Sequence, residues 1–217
     1  MVKNLGENDS ILNQFIAEIR DQQIQKDRIR FRRNLERIGE IFAYEISKTM
    51  DYSEQEVETP LGSKKMGLPA YQPVLATILR AGLPMHNGFL NYFDNAGNAF
   101  ISAYRKYHSK TDFDVHIEYT SSPSTEDKTL ILTDPMLATA SSVVLTYKEI
   151  CKNGKPRHTH IVTIIASAKG VENLEKELAE ENVTIWVGAI DEKLTKKAYI
   201  VPGLGDAGDL AFGAKLD

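Results

Sequence analysis

The amino-acid sequence predicts an α/β fold: a mainly parallel sheet with helices on both faces, plus N-terminal helices and a short hairpin arm. Three observations carry that reading. From residue 73 onward, nearly continuous apolar runs such as "PVLATILR" (73–80) and "TLILTD" (129–134) alternate with amphipathic segments. Strands buried on both faces and joined by crossover helices have this pattern. Ahead of them, residues 10–20 and 28–50 repeat apolar side chains at helical spacing. Between the two regions, "VETPLGSKKMGL" (57–68) is rich in Pro and Gly and too short to make a core, so it reads as a hairpin or loop arm.

The elements follow in order. Ile11, Leu12, Phe15, Ile16 and Ile19 share one helical face, with Ser10 as the N-cap. Phe31, Leu35, Ile38, Phe42 and Ile46 make the stripe of the second helix. After the arm, 73–80 reads as a strand, 84–93 as a helix, and 98–106 and 114–121 as two further strands. The polar break "SPSTEDK" (122–128) precedes strand 129–134. Helix 141–152 turns Val144, Tyr147 or Lys148, and Cys151 inward, and Gly154 stands at its C-terminal cap. Strand 160–168, helix 171–181 and strand 183–190 complete the alternation. Residues 1–217 are read as a single domain, with 1–56 a helical extension and 57–70 the arm.

Bulk properties narrow the function. A chain of 217 residues, 42% hydrophobic and 26% charged, is an ordinary globular protein. Its net charge of −4 argues against general attraction to nucleic acid or an anionic membrane. The basic cluster "KDRIRFRR" (26–33) reads as a solvated helix face or a subunit contact. One cysteine, Cys151, excludes an internal disulfide and fits a reducing compartment. With no signal-like N-terminus and no apolar stretch of spanning length, the expectation is a cytoplasmic protein.

In open α/β sheets, ligands gather beyond the carboxyl ends of the strands. Those ends supply Leu79-Arg80-Ala81-Gly82, Tyr104-Arg105-Lys106, Asp134 with the loop 138–142, and the tail "YIVPGLGDAGD" (199–209). The small-residue loop opens a helix, so its free N–H groups and the helix dipole suit a phosphate, with Thr139, Ser141 and Ser142 adding hydroxyls. Asp134 would repel a phosphate but suits the vicinal hydroxyls of a ribose. The two together describe a ribose 5-phosphate. Arg80 and Arg105 then offset a more highly charged group such as a pyrophosphate. The glycines of the tail fix an unusual backbone path whose exposed N–H and C=O groups can match the edge of a pyrimidine dione. Asp206 within it is a candidate for the sugar, a metal-bound water or the base, or else simply closes an Asx-type turn. Two histidines at 158 and 160 make a weak metal case. These two, with His86, His108 and His116, are read as structural or surface residues.

With these segments in hand, the chain resembles the uracil phosphoribosyltransferases, through "ILRAGLPM" (78–85), "SAYR" (102–105), "LTDPMLAT" (132–139) and "YIVPGLGDAGD" (199–209). The resemblance implies the type I phosphoribosyltransferase fold and a reaction of uracil with 5-phosphoribosyl 1-pyrophosphate (PRPP) that yields UMP and pyrophosphate. It also implies site residues. Arg80 and Arg105 would contact the pyrophosphate. Asp134, Pro135, Met136, Leu137, Ala138, Thr139, Ala140, Ser141 and Ser142 would hold the ribose and its 5-phosphate. Ile200, Gly205, Asp206 and Ala207 would contact uracil, with Asp206 also facing PRPP. Arg80, Arg105 and Asp206 are the catalytic candidates. Mg2+ would arrive on the pyrophosphate rather than in a protein cage. A homodimer or higher homo-oligomer is expected, because the N-terminal helices exceed what the core needs.

Two departures stand out. The family usually has two glycines where this chain has Ala140-Ser141, and a basic residue where it has Leu210. A non-glycine residue forced to positive φ would strain the loop by about 1–2 kcal/mol. The rival readings are a transferase for another nucleobase and a non-catalytic nucleotide-sensing regulator on the same fold.

Overall fold

The computed structural model describes residues 1–107 and 113–215; of residues 104–107 and 113–115 it describes the backbone alone. The elements run in chain order as β1 (Val2–Asn4), α1 (Ile11–Arg20), α2 (Arg28–Ser47), β2 (Tyr52–Thr59), β3 (Gly62–Pro69), β4 (Val74–Leu79), α3 (Leu83–Leu90), β5 (Gly97–Tyr107) and β6 (Phe113–Ser121). They continue with β7 (Thr129–Thr133), β8 (Met136–Leu137), α4 (Ser141–Ile150), β9 (His158–Ser167), α5 (Ala168–Glu177), β10 (Val183–Asp191), β11 (Lys193–Leu194), β12 (Ile200–Val201) and α6 (Ala207–Phe212).

The main sheet has the order β1-β10-β9-β7-β4-β5-β6, with β8 also beside β9. Every pairing is parallel except β5 with β6. From β4 the chain builds outward through β5 and β6. It then returns to the other side of β4 and builds through β7, β9 and β10. The order therefore reverses between β4 and β7, and a crevice opens above such a switch point. Leu79-Arg80 and Thr133-Asp134 end those two strands.

The strands serve two cores by their period of two. Leu75, Ile131, Val162 and Trp186 pack with Leu12, Phe31, Leu35 and Phe42 of α1 and α2 and with Met85 and Phe89 of α3. Their neighbours Val74, Ala76, Leu130, Leu132, Ile161, Ile185 and Val187 face the other way, onto Val143, Val144, Tyr147 and Leu174 of α4 and α5. Tyr147 is thus the inward residue of α4, while exposed Lys148 pairs with Glu177.

Caps set the helix starts. Ser10 Oγ accepts from the Leu12 N–H at 3.2 Å, and Asp27 Oδ1 accepts from those of Ile29 and Arg30 at 3.0 and 3.1 Å. Ser167 Oγ accepts from the Gly170 N–H at 2.8 Å, so α5 starts at Ala168, ahead of the 171 expected from apolar spacing. Helix α2 ends at Ser47, short of residue 50, because the chain turns there to enter the hairpin. That hairpin begins at Tyr52, within the span expected to be helical, and nearly all of it is exposed. The first residues also depart from the helical expectation: Val2–Asn4 add a parallel edge strand to β10, a run too short for periodicity to reveal.

Candidate active site

The rim begins at the end of β4. Arg80 follows the strand directly, and its Nη2 donates to Asp209 Oδ1 at 3.0 Å and to the Gly213 carbonyl at 3.3 Å. The two partners lie 129 and 133 residues further along the chain. Arg80 therefore meets the C-terminal tail at the switch point, with its guanidinium about half exposed.

Asp134 follows β7, and its Oδ1 accepts from the Met136 N–H at 3.3 Å. Pro135, Met136 and Leu137 then run along β9: the Pro135 carbonyl accepts from Ile164 and Ile165, and Leu137 is buried in the core. What these three offer a ligand is backbone. The loop proper is Ala138–Ser142. Ser167 Oγ donates to the Ala138 carbonyl at 2.6 Å, and Asn173 Nδ2 donates to that of Thr139 at 3.2 Å. Gly170 presses against the same stretch, where an added Cβ would meet the Ala138 and Leu137 carbonyls at 2.5 and 2.7 Å. Because a trans peptide points its N–H opposite its C=O, carbonyls turned to α5 leave the Thr139 and Ala140 amides on the far side. Thr139 Oγ1 and Ser141 Oγ lie 3.1 Å apart beside them.

Ala140 caps α4 at φ 71° and ψ −10°, in the left-handed region that glycine adopts at no cost. Ser141 is the first helical residue and Ser142 the second. Of the two departures from the glycine pair, only the first carries backbone strain.

The tail forms the third wall. After β10, the two-residue strands β11 and β12 pair antiparallel, and the chain turns through a cis Val201–Pro202 peptide. Gly203 and Gly205 have φ of 57° and 99°. Ile200 is buried among the helices, so its contribution to a rim site is its peptide groups. Asp206 caps α6, with Oδ1 accepting from the Asp209 N–H at 3.0 Å and Oδ2 lying 3.5 Å from Lys215 Nζ. The Asx-type closure is present, and the second oxygen faces a cation. Leu210 does not leave the tail without salt links, since Asp209 and Lys215 make them.

Arg105 lies in β5, paired with Val115 and three residues beyond Ser102, the partner of Leu79; its side chain lies outside the described residues. His108 is also outside them. His116 is paired with Tyr104 in the β5–β6 ladder, while His86, His158 and His160 sit off the rim. His158 and His160 stand at the opposite end of β9, rings 4.6 Å apart, with His160 Nδ1 accepting from Trp186 Nε1 at 3.0 Å. Burial drives the His160 pKa down to about 3. His86 is buried against Asn98. Among the described residues no cluster of three or more His, Cys, Asp or Glu could hold a metal. None of the described helices is long and apolar enough to cross a membrane.

One rim pair escaped the sequence reading. Asp191 ends β10 as Asp134 follows β7, a signal that periodicity could have supplied. Arg20 ends α1, and nothing local in the chain marks it. Arg20 Nη1 and Nη2 donate to Asp191 at 2.8 and 2.9 Å. Burial alone would raise the Asp191 pKa, but the Arg20 and Gly203 hydrogen bonds outweigh it and hold the carboxyl below its usual range.

The chain is similar to known proteins over nearly its whole length. A family model described as uracil phosphoribosyltransferase matches residues 7–214. A protein named uracil phosphoribosyltransferase from Porphyromonas gingivalis is 56% identical over 215 residues, covering 99% of each chain. One of the same name from Thermococcus gammatolerans is 37% identical over 214 residues, covering 97% of this chain and 92% of its own. Among solved structures, the AQ2163 protein from Aquifex aeolicus superposes over 100% of both chains, with a TM-score of 0.88 at 30% identity.

Proposed function

We propose that this chain, which belongs to the uracil phosphoribosyltransferase family, joins uracil to PRPP at the rim above the β4–β7 switch point. The products are UMP and pyrophosphate. The observation that carries the assignment of residues is the meeting of Arg80 with the tail across 129 residues of sequence, at the end of a strand that neighbours β7, from which the chain leads on to the Ala138–Ser142 loop.

In this reading the amides of Thr139 and Ala140, with the hydroxyls of Thr139, Ser141 and Ser142, hold the 5-phosphate. Asp134 takes the ribose hydroxyls. The peptide groups at Ile200 and Gly205–Ala207 present uracil N1 to the sugar C1. As the N1–C1 bond forms, the C1–O bond breaks, the electron pair leaves with pyrophosphate and the N1 proton is released. Arg80 and Arg105 stabilise the charge that develops on the leaving group. Their order along the rim supplies the positioning that lowers the barrier. Mg2+ would arrive on the pyrophosphate and neutralise part of its charge, with the Asp206 carboxylate the residue that would accept from its water ligands in place of the Lys215 contact.

The residues matched to the family read as one domain. The arm points to self-association: Leu61 at its tip is fully exposed and Tyr52 and Met66 are about half exposed. An isolated two-stranded hairpin is marginal in water, so we infer that a second copy covers it in a homo-oligomer. The cytoplasm is the compartment that fits the lone free thiol.

Release of pyrophosphate on mixing protein, PRPP, Mg2+ and uracil tests the function, with other nucleobases as controls. Turnover with a purine or orotate in place of uracil would reassign the substrate. UMP binding without any turnover would make the protein a sensor.

A further inference from the structure

The tail turn is held by residues that lie outside it. Asp191 Oδ2 accepts from the Gly203 N–H at 2.9 Å, while Arg20 Nη1 donates to the Gly203 carbonyl at 3.0 Å. Gly203 is therefore held from both of its peptide groups by two side chains that also bind each other at 2.8 and 2.9 Å. Arg20 and Asp191 are 171 residues apart, one ending α1 and the other ending β10. Both are largely shielded, with side-chain exposures of 22% and 9%.

The grip acts at a point of the turn that only glycine fits. Gly203 has φ 57°, and an added Cβ would stand 2.3 Å from the Ile200 carbonyl. Ile200 lies on one side of this point and Gly205–Ala207 on the other, so a displacement of Gly203 moves both halves of the base-reading edge together. An aspartate with two charged donors and one amide donor is far better fixed than a loop held by backbone turns alone.

We propose that Arg20 and Asp191 are positioning residues for uracil, setting the path of residues 200–207 through Gly203 and so the placement of the base against the sugar. This rests on the assignment of that turn to uracil. A misplacement of about 1 Å at a reacting centre costs on the order of 100-fold in rate, and smaller shifts cost proportionately less.

The test compares steady-state kinetics of the wild type with Asp191→Asn, Arg20→Met and Arg20→Lys, varying uracil and PRPP separately. The expected result is a KM for uracil raised about tenfold or more in the first two variants. Arg20→Lys, which keeps the charge but loses the fork, should fall between them and the wild type. The KM for PRPP should stay within about twofold, and amide exchange at Gly203 should accelerate. Should Asp191→Asn fail to fold, the milder Arg20→Lys carries the comparison. An unchanged KM for uracil in soluble, folded variants would overturn the inference. So would equal rises for both substrates alongside a fallen melting temperature, which would mark the pair as general support. A wild type that releases no pyrophosphate with uracil would instead remove the function on which the inference stands.

Discussion

Glu18 offers the most quantitative test of how the N-terminal helices are held. It is buried on α1, and its carboxylate accepts from Arg30 Nε and Nη2 at 2.8 Å each, Asn34 Nδ2 at 2.7 Å and Gln14 Nε2 at 2.9 Å. The Arg30 hydrogen bonds, followed by those of Gln14 and Asn34, lower its pKa from 4.5 to about 2. At about 1.4 kcal/mol per pH unit, that gap sets a ceiling of about 3.4 kcal/mol. The Arg30 side chain is 51% exposed, so solvent screening brings the contribution to about 2 kcal/mol. A carboxyl whose pKa is depressed on folding stabilises fully above its unfolded value, and the contribution fades as pH falls. Glu18→Gln should therefore cost about 2 kcal/mol at neutral pH. The gap to wild type should then close between pH 4.5 and about pH 2. Urea unfolding of both proteins across that range measures it. A gap that stays constant with pH would show that Glu18 packs without contributing as an anion, and would refute the reasoning.

Other perturbations address the rim. Arg105→Ala and Arg80→Ala should each lower kcat/KM about 100-fold or more with little change in melting temperature; normal turnover in either would remove it from the leaving-group role. Ala140→Gly should be more stable than Ser141→Gly by about 1 kcal/mol, because only residue 140 is left-handed. Thermal unfolding decides this, and equal stabilities would mean the loop bears no strain. Leu61→Asp at the arm tip should shift the protein to a smaller species by light scattering, and an unchanged mass would place the subunit contact elsewhere.

Much of the fold was legible because buried parallel strands leave a simple trace. Runs such as 129–134 and 160–168 are apolar on both faces, and the helices between them carry one apolar stripe. The rim could be listed from strand ends alone, as with Arg80 and Asp134. Very short elements were not legible: β1, β8, β11 and β12 have two or three residues each, too few to show any period. The backbone state of Ala140 was also hidden. Alanine ordinarily favours right-handed helix, and only the packing of the loop under α5 forces the other sign of φ there.

By itself, the order of residues determined the alternation of strands and helices, the starts of α1 and α4, and the types of group available to bind a phosphorylated sugar. Those properties are local, set by side-chain period, capping and charge within a few residues. The tertiary structure decided which distant groups meet: Arg80 with Asp209, Ser167 with the Ala138 carbonyl, and Arg20 with Asp191 around Gly203. Such meetings depend on the reversal of strand order at β4 and β7 and on the wrapping of α1 to the end of β10. No local spacing encodes them, because their stabilisation exists only after the sheet has brought distant segments together at the carboxyl ends of its strands.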